Sequence, residues 1–179
     1  MPSHIRSLRN LLSRFRRNRR GSTAVEFALV MPIFCALLFA IIETALMFFA
    51  SQVLETATQD SARMIMTGQA QNASYNAAQF KSDVCTRITV MFDCAGGVSI
   101  DVQSYSSFGS VNVSSPIDAS KNFTNPNNFS PGGPGDIVVV RLFYQWPILV
   151  TKFGYDITNL SGSKRLLIAT AAFQNEPFP

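Results

Sequence analysis

With 179 residues, a formal net charge of +4 and one histidine, His4, the chain has room for one membrane segment and one modest globular domain, not two full domains. The charge is unevenly placed. Residues 1–21 hold seven arginines (Arg6, Arg9, Arg14, Arg16, Arg17, Arg19, Arg20) and no acid, and from Ser22 onward eight Lys or Arg face eleven Asp or Glu. A binding face for phosphates is one reading of such an arm. The apolar run directly after it makes the arginines a topology signal instead, with Arg14, Arg16, Arg17, Arg19 and Arg20 closest to that run, and no nucleic-acid partner is expected.

From Phe27 to Ala50 the sequence reads FALVMPIFCALLFAIIETALMFFA, a helix about 36 Å long at 1.5 Å per residue and sufficient to cross a hydrocarbon core. A secretory signal peptide has a shorter apolar core of roughly 7–15 residues and a small-residue cleavage site. With arginines before the run and neutral or acidic residues after it, the N-terminus is expected in the cytoplasm and the bulk of the chain exported. Pro32 removes one backbone hydrogen bond and is expected to kink the helix, with or without a role as a hinge. Cys35 reads as a small apolar packing residue. Glu43 lies near the exported end, where reaching water or lipid headgroups is favoured over a helix contact. Glu26 opens the apolar run, and a carboxylate entering hydrocarbon needs a partner unless it rests at the headgroup level.

The stretch Gly21-Ser22-Thr23-Ala24-Val25-Glu26-Phe27 resembles the processing site of type IV pilins. The longer run to Pro32, with Ile41-Ile42-Glu43, Gln52-Val53-Leu54-Glu55-Thr56-Ala57 and Asp60-Ser61-Ala62-Arg63, is similar to the TadE group of pseudopilins. The resemblance covers about residues 17–67. It implies a minor component of the tight-adherence (Flp) pilus machinery in the bacterial inner membrane, cut by a prepilin peptidase after Gly21 so that the mature chain begins at Ser22. Glu26 would then be the fifth mature residue and the assembly carboxylate, meeting the Ser22 ammonium of a neighbouring subunit. The implied partners are the prepilin peptidase, other pilins or pseudopilins, the inner-membrane pilus assembly platform and membrane lipids. Type IV pilins usually begin with phenylalanine, not serine, so the resemblance implies cleavage more firmly than N-methylation and leaves methylation of Ser22 open. Main Flp fibre subunits are very small, and a chain of this length fits a minor subunit.

Beyond the span, Val53, Leu54, Ala57, Ser61, Ile65 and Met66 recur at three- or four-residue spacing among polar neighbours, which predicts an amphipathic continuation of the same helix to about Gly68. Ala77, Phe80, Val84, Ile88 and Met91 suggest a second helix, stopped by Gly96-Gly97. Val98, Ile100 and Val102 alternate with Ser99, Asp101 and Gln103 as in a strand. Residues 105–135, rich in Ser, Asn, Pro and Gly, read as a long flexible surface loop, with Val111 and Val113 as a possible short edge strand. Asp136 to Trp146 is the clearest strand, ended by Pro147, and Arg165 to Phe173 is strand or helix, with strand chosen for its shortness. Cys85 and Cys94, both on the exported side, are either a local disulfide or two reduced thiols; the disulfide is preferred in an oxidising compartment.

The expected architecture is therefore α+β and pilin-like: a basic leader (1–21), a transmembrane and amphipathic helix (22–68), and an exported domain (69–179) with a second helix and a small antiparallel sheet. The domain would be periplasmic or extracellular. Its acids, Asp83, Asp93, Asp101, Asp118, Asp136, Asp156 and Glu176, form no paired-carboxylate motif and read as solvated surface. Gly132-Gly133-Pro134-Gly135 lacks the lysine and hydroxyl of a phosphate-cradling loop, and no CxxC pair is present. No enzyme activity, metal or cofactor is expected. An uncleaved single-pass anchor for a periplasmic binding or scaffold domain is the alternative to the pseudopilin.

Overall fold

A computed structural model of the protein describes residues 21–88, 91–94, 96–150 and 156–178. The topology-signal arginines, Arg14, Arg16, Arg17, Arg19 and Arg20, lie outside the described residues. The chain divides into two compact units, Met1–Ile41 and Ile42–Pro179. Helix α1 (Ser22–Met66) contributes to both and includes Pro32 without ending there.

In the first unit α1 is apolar on every side from Phe27 onward. Val25, Phe27, Leu29, Val30, Ile33, Phe34, Leu37, Phe39 and Ile41 are all exposed. The most apolar 18-residue window of α1 has a mean hydropathy of 2.6 and no buried residue, so this helix is long and apolar enough to cross a membrane.

In the second unit, α1 buries one stripe: Glu43, Met47, Ala50, Leu54, Ala57, Thr58, Ser61, Ala62 and Ile65. Their three- and four-residue steps keep them on one face. Thr58 donates its hydroxyl to the Leu54 carbonyl at 2.7 Å, satisfying a buried polar group within the helix. The helix ends where Gly68 adopts φ +74° and its N–H bonds the Ile65 carbonyl, a left-handed turn that glycine takes without strain. A short helix α2 (Gln69–Asn72) follows.

Helix α3 (Ala77–Ile88) starts with a reciprocal cap. The Asn76 side chain accepts the Gln79 N–H, and the Gln79 side chain accepts the Asn76 N–H, both at 2.9 Å. It buries Phe80, Val84 and Ile88. It ends before Met91, short of the predicted stop at Gly96-Gly97, and the reason is the formed Cys85–Cys94 disulfide. Its Cα atoms are 5.7 Å apart, whereas nine helical residues would separate them by about 13.5 Å.

Strands β1 (Val98–Tyr105), β2 (Ile137–Pro147) and β3 (Lys164–Gln174) form an antiparallel sheet in the order β1-β2-β3. The registers Ile100↔Leu142 and Leu142↔Ala169 align one apolar face. That face packs with the α1 stripe and with Phe80, Val84 and Ile88 of α3 in one core. The fold is thus α+β, with a long apolar N-terminal helix.

The opposite face of the sheet departs from the sequence reading. Ile117 and Phe123 of the β1–β2 connection pack on Phe143, Leu160 and Leu166, so this segment is a cover, not a free surface loop. Val111 and Val113 form no strand, and the connection holds a 3-10 turn at Phe108–Ser110. Pairing occurs instead at Phe129, which bridges Val102 in parallel, and between Ile117 and Phe123. The physical cause is β2, buried on both faces from Ile137 to Phe143; an apolar strand of this kind must be covered twice.

Candidate functional site

Gly21 is exposed and has no neighbouring atom within 4 Å of where a Cβ would stand. Ser22 is the first residue of α1. One helical turn later, the exposed Glu26 accepts a hydrogen bond from the Ser22 hydroxyl at 2.9 Å. The i,i+4 spacing places the two side chains on one side of the helix, so Ser22 and Glu26 are neighbours within one chain. Phe27 and Leu29 extend outward just beyond them. Cys35 is a free, half-buried thiol.

Glu43 requires a correction. It is only 8% exposed, and its two carboxylate oxygens accept the main-chain N–H groups of Leu149 and Val150, the latter at 3.0 Å. It therefore faces the turn after β2, not water or headgroups. The two donors stand in for lost hydration, which is the condition for burying a carboxylate. No local signal in the sequence announces a partner more than a hundred residues away.

A second polar site was missed among the acids read as solvated. Asp101 (1% exposed) and Arg141 (4%) stand directly opposite each other on β1 and β2, on the covered face. Arg141 donates Nε and Nη2 to Asp101 Oδ2 at 3.0 and 2.6 Å and its Nη1 to the Ser114 carbonyl at 3.0 Å. Asn128 Nδ2 donates to Asp101 Oδ1 at 2.7 Å, and Gln103 Nε2 to Oδ2 at 2.8 Å. The Arg141 guanidinium also lies 5.3 Å from the centre of the Phe143 ring. Burial pushes the Asp101 carboxyl up, but the hydrogen bonds from Arg141, Asn128 and Gln103 and the arginine charge outweigh it, holding the group below its ordinary range. Because Ser114 and Asn128 belong to the connection, this pair ties the cover to the sheet. The sequence signal was Arg141 itself, a charge inside the apolar run of β2 that had to find an acid.

The C-terminal end of α1 is held by the last residues of the chain. The Glu176 N–H bonds the Met66 carbonyl at 2.9 Å, Gln71 Nε2 reaches the carbonyls of Ile65 and Pro131, and Asn175 Nδ2 reaches those of Pro131 and Gly133. The turn-rich Pro-Gly segment therefore serves as an acceptor platform. A Cβ at Gly68 would overlap the Phe178 ring.

Compared with known protein families, residues 21–63 match the family described as TadE-like protein. Over that stretch the chain is similar to TadE-like proteins. The match begins at Gly21, one residue before α1, and ends at Arg63 in its last turns. The TadE-like segment thus includes Glu26, Pro32, Glu43 and most of the buried stripe, and the sheet and its cover lie beyond it. No curated protein and no solved structure matches the chain. Among the described residues, one helix near the N-terminus is long and apolar enough to cross a membrane, which fits a single-pass membrane protein.

Proposed function

We propose that this chain is a minor pilin-like subunit, a pseudopilin, acting in assembly or initiation of a tight-adherence pilus at the bacterial inner membrane. The observation that carries the reading is the coincidence at Gly21: the TadE-like match starts there and the apolar helix starts at Ser22. In this reading a prepilin peptidase cuts after Gly21, leaving Ser22 as the new N-terminus. Glu26 already lies within hydrogen-bonding reach of its own Ser22 hydroxyl. On assembly it would exchange that neutral donor for the ammonium of an adjacent subunit, a stronger, charge-assisted partner in a medium of low dielectric. The arginine arm keeps the leader cytoplasmic and the disulfide-bonded domain is exported. The protein's work is structural: it presents a helix and a domain to other pilus components and performs no chemistry on a substrate.

Mass spectrometry of the membrane-extracted protein tests this directly. A chain beginning at Ser22 is expected in cells with an active prepilin peptidase, and an intact leader there overturns the reading. The intrachain Ser22–Glu26 bond favours one competing view, an uncleaved anchor whose glutamate needs no neighbour. The Glu26→Ala variant separates the two. Leader removal should persist while co-isolation with other pilus subunits falls, and unchanged co-isolation counts against the amine pairing.

A further inference from the structure

Within the Ile42–Pro179 unit, Glu43 fixes the height of the turn after β2 along α1, because both of its oxygens hold that turn's amides. The turn's own side chain, Leu149, is 82% exposed. On its uncovered sides the same helix exposes Leu46, Phe48 and Phe49, and polar residues resume only at Ser51 and Gln52. Phe49 is six residues beyond Glu43, about 9 Å further along the axis at 1.5 Å per residue. An apolar medium that covers Phe48 and Phe49 therefore also reaches the level of the Leu149 turn, which is tied closer to the N-terminal end of the helix.

We propose that the turn directly after β2, at Leu149 and Val150, is a second membrane contact, the Leu149 side chain entering the acyl region, with Glu43 as the residue that positions it there. The occupant of this surface is lipid, because the exposed Leu46, Phe48 and Phe49 continue the apolar run of a helix already suited to a bilayer. Main-chain N–H groups entering such a medium must be satisfied by the protein. Glu43 satisfies two of them, and they in turn replace its water. Position 43 is thus where a carboxylate serves and an apolar side chain would leave two amides unpaired. The proposal rests on the reading of α1 as a membrane span.

The test uses the full chain with its Cys85–Cys94 disulfide intact, Cys35→Ala, and one introduced cysteine carrying an environment-sensitive fluorophore. Vesicles of phosphatidylethanolamine and phosphatidylglycerol carry nitroxide-labelled acyl chains, and iodide is added from the water side. Leu149→Cys is compared with Leu37→Cys as the span reference and with Val113→Cys, on the exposed cover, as the water reference. Lipid nitroxide is expected to quench the label at 149 as it does at 37, with little quenching by iodide. Adding Glu43→Ala should abolish lipid quenching at 149 and leave it unchanged at 37. Iodide quenching at 149 matching that at 113 overturns the proposal alone, as does shielding from both quenchers, which would mean a protein neighbour covers the turn. Loss of lipid quenching at 37 overturns the span reading and this proposal with it.

Discussion

The stretches of α1 from 22 to 41 and from 42 to 66 are continuous helix with different answers to the same question, where apolar side chains go. In the first, large apolar residues point outward in every direction and none of the most hydropathic window is buried. In the second, Met47, Leu54 and Ile65 line one stripe with small residues between them, while Gln52, Glu55, Gln59, Asp60 and Arg63 remain outside. The lesson is that helix formation is common to both and burial is not: the first stretch leaves its large apolar side chains exposed, and the second buries one stripe against a sheet and α3 while still exposing Leu46, Phe48 and Phe49 on its other sides.

This comparison is sharpest where equal substitutions have unequal effects. Trp146, the one tryptophan, packs against the domain core, so its fluorescence in detergent follows domain unfolding. The largest loss is expected from Asp101→Ala or Arg141→Met, about 3–5 kcal/mol, because either leaves a buried charge without its counterpart. The double substitution Asp101→Val with Arg141→Met should recover much of that in a urea titration. Leu54→Ala, at a fully buried position of the second stretch, should cost about 2–5 kcal/mol. Leu37→Ala, in the first stretch, should leave the same transition within about 0.5 kcal/mol. A comparable loss at Leu37 would break the division between the two stretches.

Smaller effects follow for the links around the core. Reducing Cys85–Cys94 should lower stability by about 2–3 kcal/mol on loop-entropy grounds, read as a lower urea midpoint with dithiothreitol. Gly68→Ala combines a strained φ with a close approach to Phe178 and is expected to cost about 1–2 kcal/mol. Phe178→Ala in the same chain should relieve the steric part and not the backbone part. Acid supplies the last separation. The Asp101 carboxyl is lowered from its ordinary 3.8, so its stabilising contribution is complete above that value and is lost as pH falls through the lower folded-state value. A urea midpoint that declines below about pH 4 in the parent, and declines less in Asp101→Asn, is the expected result.

Much of the fold was legible. Alternation marked β1, the apolar run and Pro147 marked β2, and the spacing of Phe80, Val84 and Ile88 marked α3. These signals are local, set by side-chain periodicity along a single element. What escaped was set by distant partners. Asp101 alternates with Ile100 and Val102, which face the core, so the pattern alone turns it toward water. The cover that buries it is an irregular segment with no period to read. Glu43 looked close to water because the apolar run ends nearby, and its donors come from a turn beyond β2. Between Gly21 and Phe27, the Ser22–Glu26 spacing was readable, and its geometry adds a hydrogen bond within one chain to the pairing that the resemblance implies between chains.

The cover over the outer face also changes where sequence variation should be tolerated. By composition the stretch from Ser114 to Asn128 reads as a place for insertions and exchanges, as exposed loops ordinarily are. Yet Ser114 supplies its carbonyl to Arg141, and Asn128 supplies its amide to Asp101. An inserted residue between them would shift one contact against the other. Variation should therefore gather at exposed positions that make neither contact, such as Ala119 and Ser120, and the length of the stretch should be held nearly as firmly as that of a strand.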